Sequence, residues 1–521
     1  MRKLKIGIID LVAKAPTRTN WMRVMGANFV SIMPQVIATW CEEQGNEVTL
    51  VTYTGRENLL KELPANVDLV FISSFTEAAL LSYALSNLFR LRGAVTALGG
   101  PHARCYPQDA QKYFDYVLGF TDKTLILEVF RDCNRHRPVG LHLSADKHPN
   151  QLPGVSRRWK FIEQNLRKAP LIKIVPLLSS LGCPYTCDFC IDSTVPYQPL
   201  DTETMKEDLR FLLGKLKRPR VAWHDPNFGV RFDHCMDAIE EAVPPDRIDF
   251  IAESTLSLLS EPRVIRLKRN GFKALLPGIE SWFEMGKKSM TGKITGMDKV
   301  RLVSDQVNMI MRHIPYVQTN HIFGLDNDSG PESFELTKRF LDLSPGAFPA
   351  YSMLSAFGQA TKLNLKFQRA NRVIPFPFHF LSNIQMNIQP KNYLWTEFYD
   401  YLIDVTKYSY SSRMILRRFM ANGETIPRWL NVVRGFSSER YSRVRYYEEI
   451  RRHLLNDWSF RRFFEQETNE VPQFFVNCIR RDLGEFWEWL PEGAMFHNPN
   501  AYLLSQQNSN ASSAVMRTGA A

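Results

Sequence analysis

Short apolar runs alternate with helix-patterned segments along the first two thirds of this 521-residue chain, and they do so in two successive series. Each parallel strand needs a long crossover before its neighbour, so this alternation predicts parallel sheets covered by helices. In the first series, residues 4–12, 47–53, 68–73, 94–98 and 116–118 read as strands. Residues 32–41 carry apolar side chains at helical spacing and run into Gly45, where glycine can stop a helix. The expectation is α/β: a doubly wound, Rossmann-like domain over residues 1–136. A second series starts at Leu171 and continues through 220–223, 249–252, 273–276 and 316–323, with helices over 202–216, 261–269 and 331–343. It predicts a full or partial (β/α) TIM-like barrel over 171–365, with chemistry at the carboxyl ends of its strands.

Residues 137–170, with several prolines and basic residues, read as a linker. Beyond residue 390, aromatic residues and arginines recur at helical spacing, as over 393–410 and 440–464, which predicts a mainly helical C-terminal domain over 366–505. Residues 506–521 are rich in Ser, Asn and Ala with no apolar period and read as a disordered tail. With 44% hydrophobic and 23% charged residues the chain is of the globular class. No apolar run approaches the roughly 20 residues that cross a bilayer, and Asp10 interrupts the apolar start as a strand would permit and a signal peptide would not. The expected location is cytoplasmic. A net charge of +11 spread over so long a chain selects no partner by itself.

Eight cysteines are scattered at positions 41, 105, 133, 183, 187, 190, 235 and 478, without the density of a disulfide scaffold. Only Cys183, Cys187 and Cys190 cluster. Their C-x3-C-x2-C spacing lets three thiolates ligate three corners of an iron-sulfur cubane from one loop, and no nearby cysteine supplies the fourth. Zinc also accepts thiolates, but its usual second Cys pair or two histidines are missing here, the closest downstream histidine being His224.

The three cysteines, with Phe189 just before the last, resemble the signature of the radical S-adenosylmethionine (SAM) superfamily. The resemblance, over roughly residues 1–365, implies a [4Fe-4S] cluster whose open iron holds SAM. It implies reductive cleavage of SAM to a 5′-deoxyadenosyl radical, and a low-potential electron donor of the flavodoxin or ferredoxin type. Other strand ends resemble segments of the same family. Asp225, in the stretch 221–229, would fix the SAM amine or the substrate, although Asp and Asn also build turns. Gly278, Glu280 and Ser281 match a Gly-x-Glu-Ser strand end near the SAM ribose and methionyl groups. Gly324 matches a segment beside the adenine, with the usual Pro-Gly-Glu continuation replaced by Asp326, Asn327 and Asp328. Glu253 points to the mouth by position. No catalytic side chain is singled out.

A doubly wound domain before such a barrel resembles the cobalamin-binding radical SAM class. The matching residues are Ser73, Ser74, Phe75 and Thr76 after the third strand, Gly99, Gly100, Pro101 and His102 after the fourth, and Gly119 after the fifth. Glycines there admit a bulky ligand at the switch point of the sheet, though tight βα turns want glycine too. The Asp-x-His-x-x-Gly signature of a lower cobalt ligand is missing, and Gly-Phe-Thr-Asp-Lys at 119–123 replaces the usual Gly-Glu-Gly-Glu. With cobalamin, the resemblance implies methyl transfer to an unactivated centre. Cyclisation or rearrangement also falls within the class. A methylthiotransferase would need a second cysteine trio, for which the first 150 residues offer only Cys41, Cys105 and Cys133. A nucleic-acid-binding iron-sulfur protein is the remaining alternative. Between Arg413 and Arg462 lie twelve arginines and five acids, interleaved with Tyr and Phe that could stack bases. The same run also suits a charged helical face or a lid over an anionic small-molecule substrate.

Overall fold

The computed structural model describes residues 2–133, 139–283 and 293–501, so the tail expected over 506–521 lies outside the described residues. Strands β1 (Lys5–Leu11), β2 (Glu47–Tyr53), β3 (Leu69–Ser74), β4 (Val95–Gly99), β5 (Tyr116–Leu118) and β6 (Leu141–Leu143) form one parallel sheet in the order β2-β1-β3-β4-β5-β6. β1 is buried along almost its whole length, as expected of a parallel strand covered on both faces. The chain leaves β1 toward β2 on one side and later toward β3 on the other. The carboxyl ends of β1 and β3 therefore flank a topological switch point, where sheets of this kind bind ligands.

β6 falls in the stretch read as a linker. It is a three-residue edge strand with an exposed Leu141, too short and too open to show a period. The amphipathic helix Val155–Lys168 lies in the same stretch. It buries Val155, Phe161, Ile162 and Leu166 beneath a strongly charged outer face that masks the pattern.

The central sheet is also wholly parallel and runs in chain order through β7 (Val175–Leu177), β10 (Arg220–Trp223), β11 (Asp249–Thr255), β12 (Phe272–Glu280), β13 (Tyr316–Phe323) and β14 (Phe348–Met353). A short antiparallel pair, β8 (Ser180–Leu181) with β9 (Gln198–Pro199), stands apart from it. β14 was not anticipated, because Pro349 argues against a strand. At a sheet edge its missing N–H is tolerated. Trp223, Phe250 and Phe272 stack through the core beneath this sheet, with neighbouring ring centroids 5.9 and 5.0 Å apart.

Six helices from Trp395–Ser409 to Gln473–Leu483 make up the C-terminal part. Many of its arginines are engaged inside the protein. Arg418 is fully buried and donates to the carbonyls of Ala347 and Ser409. Arg434 stacks 3.8 Å from the centroid of Phe348 and donates to Gln318. Arg461 donates to the carbonyls of Leu454 and Leu455. A guanidinium makes such a fastener because its fork of donors satisfies several carbonyls at once. Arginines committed in this way are not available to phosphates.

Residues 356–363 tie the first domain to the cysteine-loop region of the central part. The Tyr106 hydroxyl donates to Ala356 O, Thr194 Oγ1 to Ala360 O, and Leu363 N to Asp188 O. At the centre of this segment Gly358 has φ +50, and a Cβ there would sit 1.9 Å from Cys105 O. Left-handed strain plus forced separation predicts that Gly358→Val destabilises the protein by about 2–4 kcal/mol. A urea midpoint equal to wild type would refute this contact.

Candidate functional site

The two sheets aim their carboxyl ends at one another across a cavity of about 750 Å³. From the first sheet it is lined by Val12, Ser73, Phe75, Gly99, Gly100 and Gly119; from the second by Leu178, His224, Asp225 and Glu253. Pro101 also reaches its wall. Gly100 has φ +90, and an added Cβ would press on the backbone of Ser74 at 3.0 Å. Gly99 is different. An added Cβ there would meet nothing within 4 Å. The floor of the cavity is thus bare backbone with open space above it, the cradle a bulky planar ligand requires.

The cysteine loop adjoins this space. It leaves β8 at Gly182, whose Cβ would lie 2.5 Å from the carbonyls of Val195 and Pro196, so only glycine lets the loop close at its base. Gly182 itself lines the cavity. Cys183, Cys187 and Cys190 are half-buried and in no disulfide. Cys190 N donates to Cys187 O at 3.1 Å, a turn that brings those two α-carbons within about 7 Å. Phe189 packs into the core from the same turn. Among the described residues no three His, Cys, Asp or Glu side chains converge on a single metal ion. A cubane asks less, because each thiolate takes its own iron. Three cysteines on one closed loop, none in a disulfide, fit that donor set. The loop is anchored to the first domain by the ion pair of Arg104 with Asp192, 3.7 Å.

Asp225 is buried at the end of β10 and accepts from Ser179 N at 3.0 Å, Ser179 Oγ at 2.6 Å and Ser180 Oγ at 2.7 Å. Burial pushes its carboxyl up, partly offset by these hydrogen bonds. Its acceptors are engaged with the two residues that lead into the cysteine loop. Asn227 Oδ1 accepts from Thr255 N, while its buried Nδ2 has no hydrogen-bond partner. Glu253 is exposed at the mouth.

Glu280 ends β12 with φ +66, a left-handed conformation that a glutamate rarely adopts, and pairing with β13 slips there. Its carboxylate folds back over Gly278, where a Cβ would lie 2.2 Å from Glu280 Oε1. Backbone strain of this kind persists where the surroundings impose it, often at functional sites. Ser281 is buried and its Oγ accepts from Phe283 N at 3.1 Å. Beside them lies Lys299, unnoticed in the sequence. Burial pulls its ammonium down, and the charge of Glu280 partly restores it.

Several expected contacts lie elsewhere. Ser74 and Thr76 are buried behind the cavity wall. His102 is turned into the core, where its Nε2 meets the Tyr83 hydroxyl at 2.7 Å and burial pulls its imidazole down to about 3. Gly324 has φ +87 and is walled by Met386 and Phe398, within 3.3 Å of where its Cβ would be. Conversely, His148 and His224 line the cavity, each pulled down to about 4 by burial. His148 did not stand out in sequence because it lies in the presumed linker, and His224 was noted only as the histidine closest downstream of the cysteines.

Asp328 closes the turn after Gly324: its Oδ2 accepts from Gly324 N and Leu325 N, both at 3.2 Å. Burial pushes this carboxyl up to about 7. A carboxyl raised above its unfolded value binds more protons in the folded state, so its contribution to stability falls as pH rises from about 4 to 7. Asp328→Asn keeps an acceptor for the turn and is expected to flatten the decline of Tm between pH 5 and pH 8. An unchanged slope would contradict the assignment.

A Rossmann-like domain, a parallel central sheet with a C-x3-C-x2-C loop at its first strand end, and a helical C-terminal part are the architecture of cobalamin-dependent radical SAM enzymes. Comparisons with particular proteins agree. No protein-family model matches the chain. It is 23% identical over 365 residues to bacteriochlorophyllide d C-12(1)-methyltransferase of Chlorobaculum tepidum, covering 67% of this chain and 78% of that protein. It is 25% identical over 291 residues to hopanoid C-2 methylase of Rhodopseudomonas palustris, covering 53% of each. The fold matches the methyltransferase TsrM from Kitasatospora setae, solved with cobalamin and a [4Fe-4S] cluster (TM-score 0.52, 14% identity, 70% of this chain and 78% of that one). It also matches the cobalamin-dependent SAM radical enzyme OxsB with aqua-cobalamin bound (TM-score 0.55, 11% identity, 94% and 80%). The resemblance read from the cysteine loop and the first domain is borne out. No single helix among the described residues is long and apolar enough to cross a membrane.

Proposed function

We propose that this chain is a radical SAM enzyme that holds a [4Fe-4S] cluster through Cys183, Cys187 and Cys190, binds cobalamin between its two sheets, and methylates an unactivated centre of an anionic small molecule. The observation that carries the reading is the shared cavity of about 750 Å³, with the residue before Cys183 in its wall. Methyl transfer is the activity in the names of the similar proteins. Bound there, the two cofactors and SAM would supply reductive SAM cleavage and a transferable methyl group.

The chain's own residues position these groups. Gly99 and Gly100 form a floor without side chains, and Ser73 and Phe75 stand beside it. Asp225 acts through Ser179 and Ser180 to fix the approach to the cysteine loop. Glu253, Glu280 and Lys299 place charge near the carboxyl ends of β11 and β12, suited to a ligand with both an ammonium and a carboxylate. His148 and His224 are neutral at physiological pH and offer hydrogen bonds rather than charge. None of the eight cysteines is in a disulfide, in keeping with a reducing cytoplasm and a flavodoxin- or ferredoxin-type donor.

The test is anaerobic reconstitution with iron, sulfide and hydroxocobalamin, followed by dithionite and SAM bearing a deuterated methyl group. The expected result is 5′-deoxyadenosine together with label on bound cobalamin. Neither product from fully loaded protein would refute the reading.

A further inference from the structure

A second cavity, of about 620 Å³, lies between the loop after β1 and two C-terminal helices. Val12 and Glu77 line both it and the larger cavity, so the two spaces adjoin at the end of the first strand. Helix Ser438–Asn456 contributes Ser442, Arg445, Tyr446 and Glu449, which share one face at helical spacing. Helix Gln473–Leu483 contributes Phe474, Cys478, Arg481 and Asp482. Met22, Phe380 and Ile384 complete an apolar wall.

The charges in this space do not balance locally. Asp482 is shared: Arg18 lies 3.1 Å and Arg481 3.0 Å from its Oδ1, and His379 Nε2 lies 3.0 Å from its Oδ2. Burial pushes this carboxyl up, but its hydrogen bonds with His379 and Arg481 outweigh that and hold it at about 2. Lys14 is 3.4 Å from Glu77 and donates to His379 O. Glu449 turns to Arg452, 3.5 Å away. One carboxylate therefore serves two guanidiniums, and among the described residues Arg445, in the cavity wall, has no hydrogen-bond or ion-pair partner.

We infer that this second cavity receives the carboxylate end of an amphipathic substrate, with Arg445 as its docking group and the reacting end lying in the larger cavity. A planar guanidinium presents two parallel donors that match a carboxylate edge to edge, a geometry a point charge would not supply. The apolar wall accounts for the body of the molecule. The small positive excess suits one negative charge rather than a dianion. This inference rests on the proposed function for the identity of the ligand as substrate, but not for the binding itself.

The probe is 1-pyrenebutyrate, with the neutral 1-pyrenebutanol as its match in shape, titrated by fluorescence into cluster-loaded protein. Wild type is expected to bind the acid at least about tenfold more tightly than the alcohol, the range of a charge-assisted hydrogen bond. In Arg445→Gln that preference is expected to vanish while affinity for the alcohol is unchanged, the second titration showing that the exposed substitution left the fold intact. Equal affinity of wild type for acid and alcohol overturns the inference. So does a preference that survives in Arg445→Gln, or an equal weakening of both ligands. SAM cleavage without substrate is expected to be the same in both proteins. If wild type fails to cleave SAM but still discriminates the acid, the proposed function fails and the anion site stands.

Discussion

Anaerobically reconstituted protein carrying alanine at Cys183, Cys187 or Cys190 is expected to fall from about four irons per chain to near none, and its SAM cleavage to fall to background. The cause is the corner-by-corner logic of a cubane. Three thiolates leave one iron open for SAM, whereas two leave a second iron exposed to solvent and the cluster labile. The ends of the loop are pinched at Gly182 against Val195 and Pro196, and its neighbour Asp192 is paired with Arg104. Cys235 and Cys478 serve as controls. They lie on the helices Phe232–Ala242 and Gln473–Leu483, away from the loop in sequence, and burial pushes both thiols up toward the inert neutral form. Cys235→Ala and Cys478→Ala should retain full iron. Unchanged iron in a variant with alanine at all three of Cys183, Cys187 and Cys190 would remove the central assignment, and wild type that takes up zinc instead of iron would favour the structural-metal alternative.

How far the sequence could be read depended on whether the information was local. β2, β5, β10 and β13 emerge with the predicted bounds because each is a compact apolar run whose burial follows from its own residues. β14 and β6 did not emerge. Pro349 and the exposed Leu141 give signals that only position at a sheet edge overrides. The cysteine loop was visible because its spacing encodes the chemistry directly. The SAM and cobalamin contacts were harder, since a strand-end glycine means one thing beside open space and another beside a neighbouring side chain. Gly99 and Gly324 look alike in sequence, yet one opens on the cavity and the other is packed by Met386 and Phe398. Arg445 carried no distinguishing mark among twelve arginines, because what singles it out is its place in the wall of the second cavity, which only the assembled fold supplies.

That contrast between glycines makes Gly99 the cleanest probe of cobalamin binding. Its neighbour Gly100 has φ +90, so substitution there would strain the backbone and confuse binding with folding. Gly99 lies at the end of β4, paired in register with Ser73, and has room for a side chain that points into the cavity. A graded series follows. Gly99→Ala is expected to take up hydroxocobalamin as wild type does, Gly99→Leu to bind it at least about tenfold more weakly, and Gly99→Trp to bind none detectable, each step removing ligand space rather than protein stability. Cluster iron should stay constant through the series, and Tm should be unchanged in Gly99→Ala, whose Cβ meets nothing within 4 Å. Label transfer to cobalamin should fall with uptake, while 5′-deoxyadenosine formation, which needs only the cysteine loop and SAM, should persist in Gly99→Trp. Full hydroxocobalamin binding by Gly99→Trp would move the cobalamin out of this cavity, and the shared space would then have to be assigned to substrate alone.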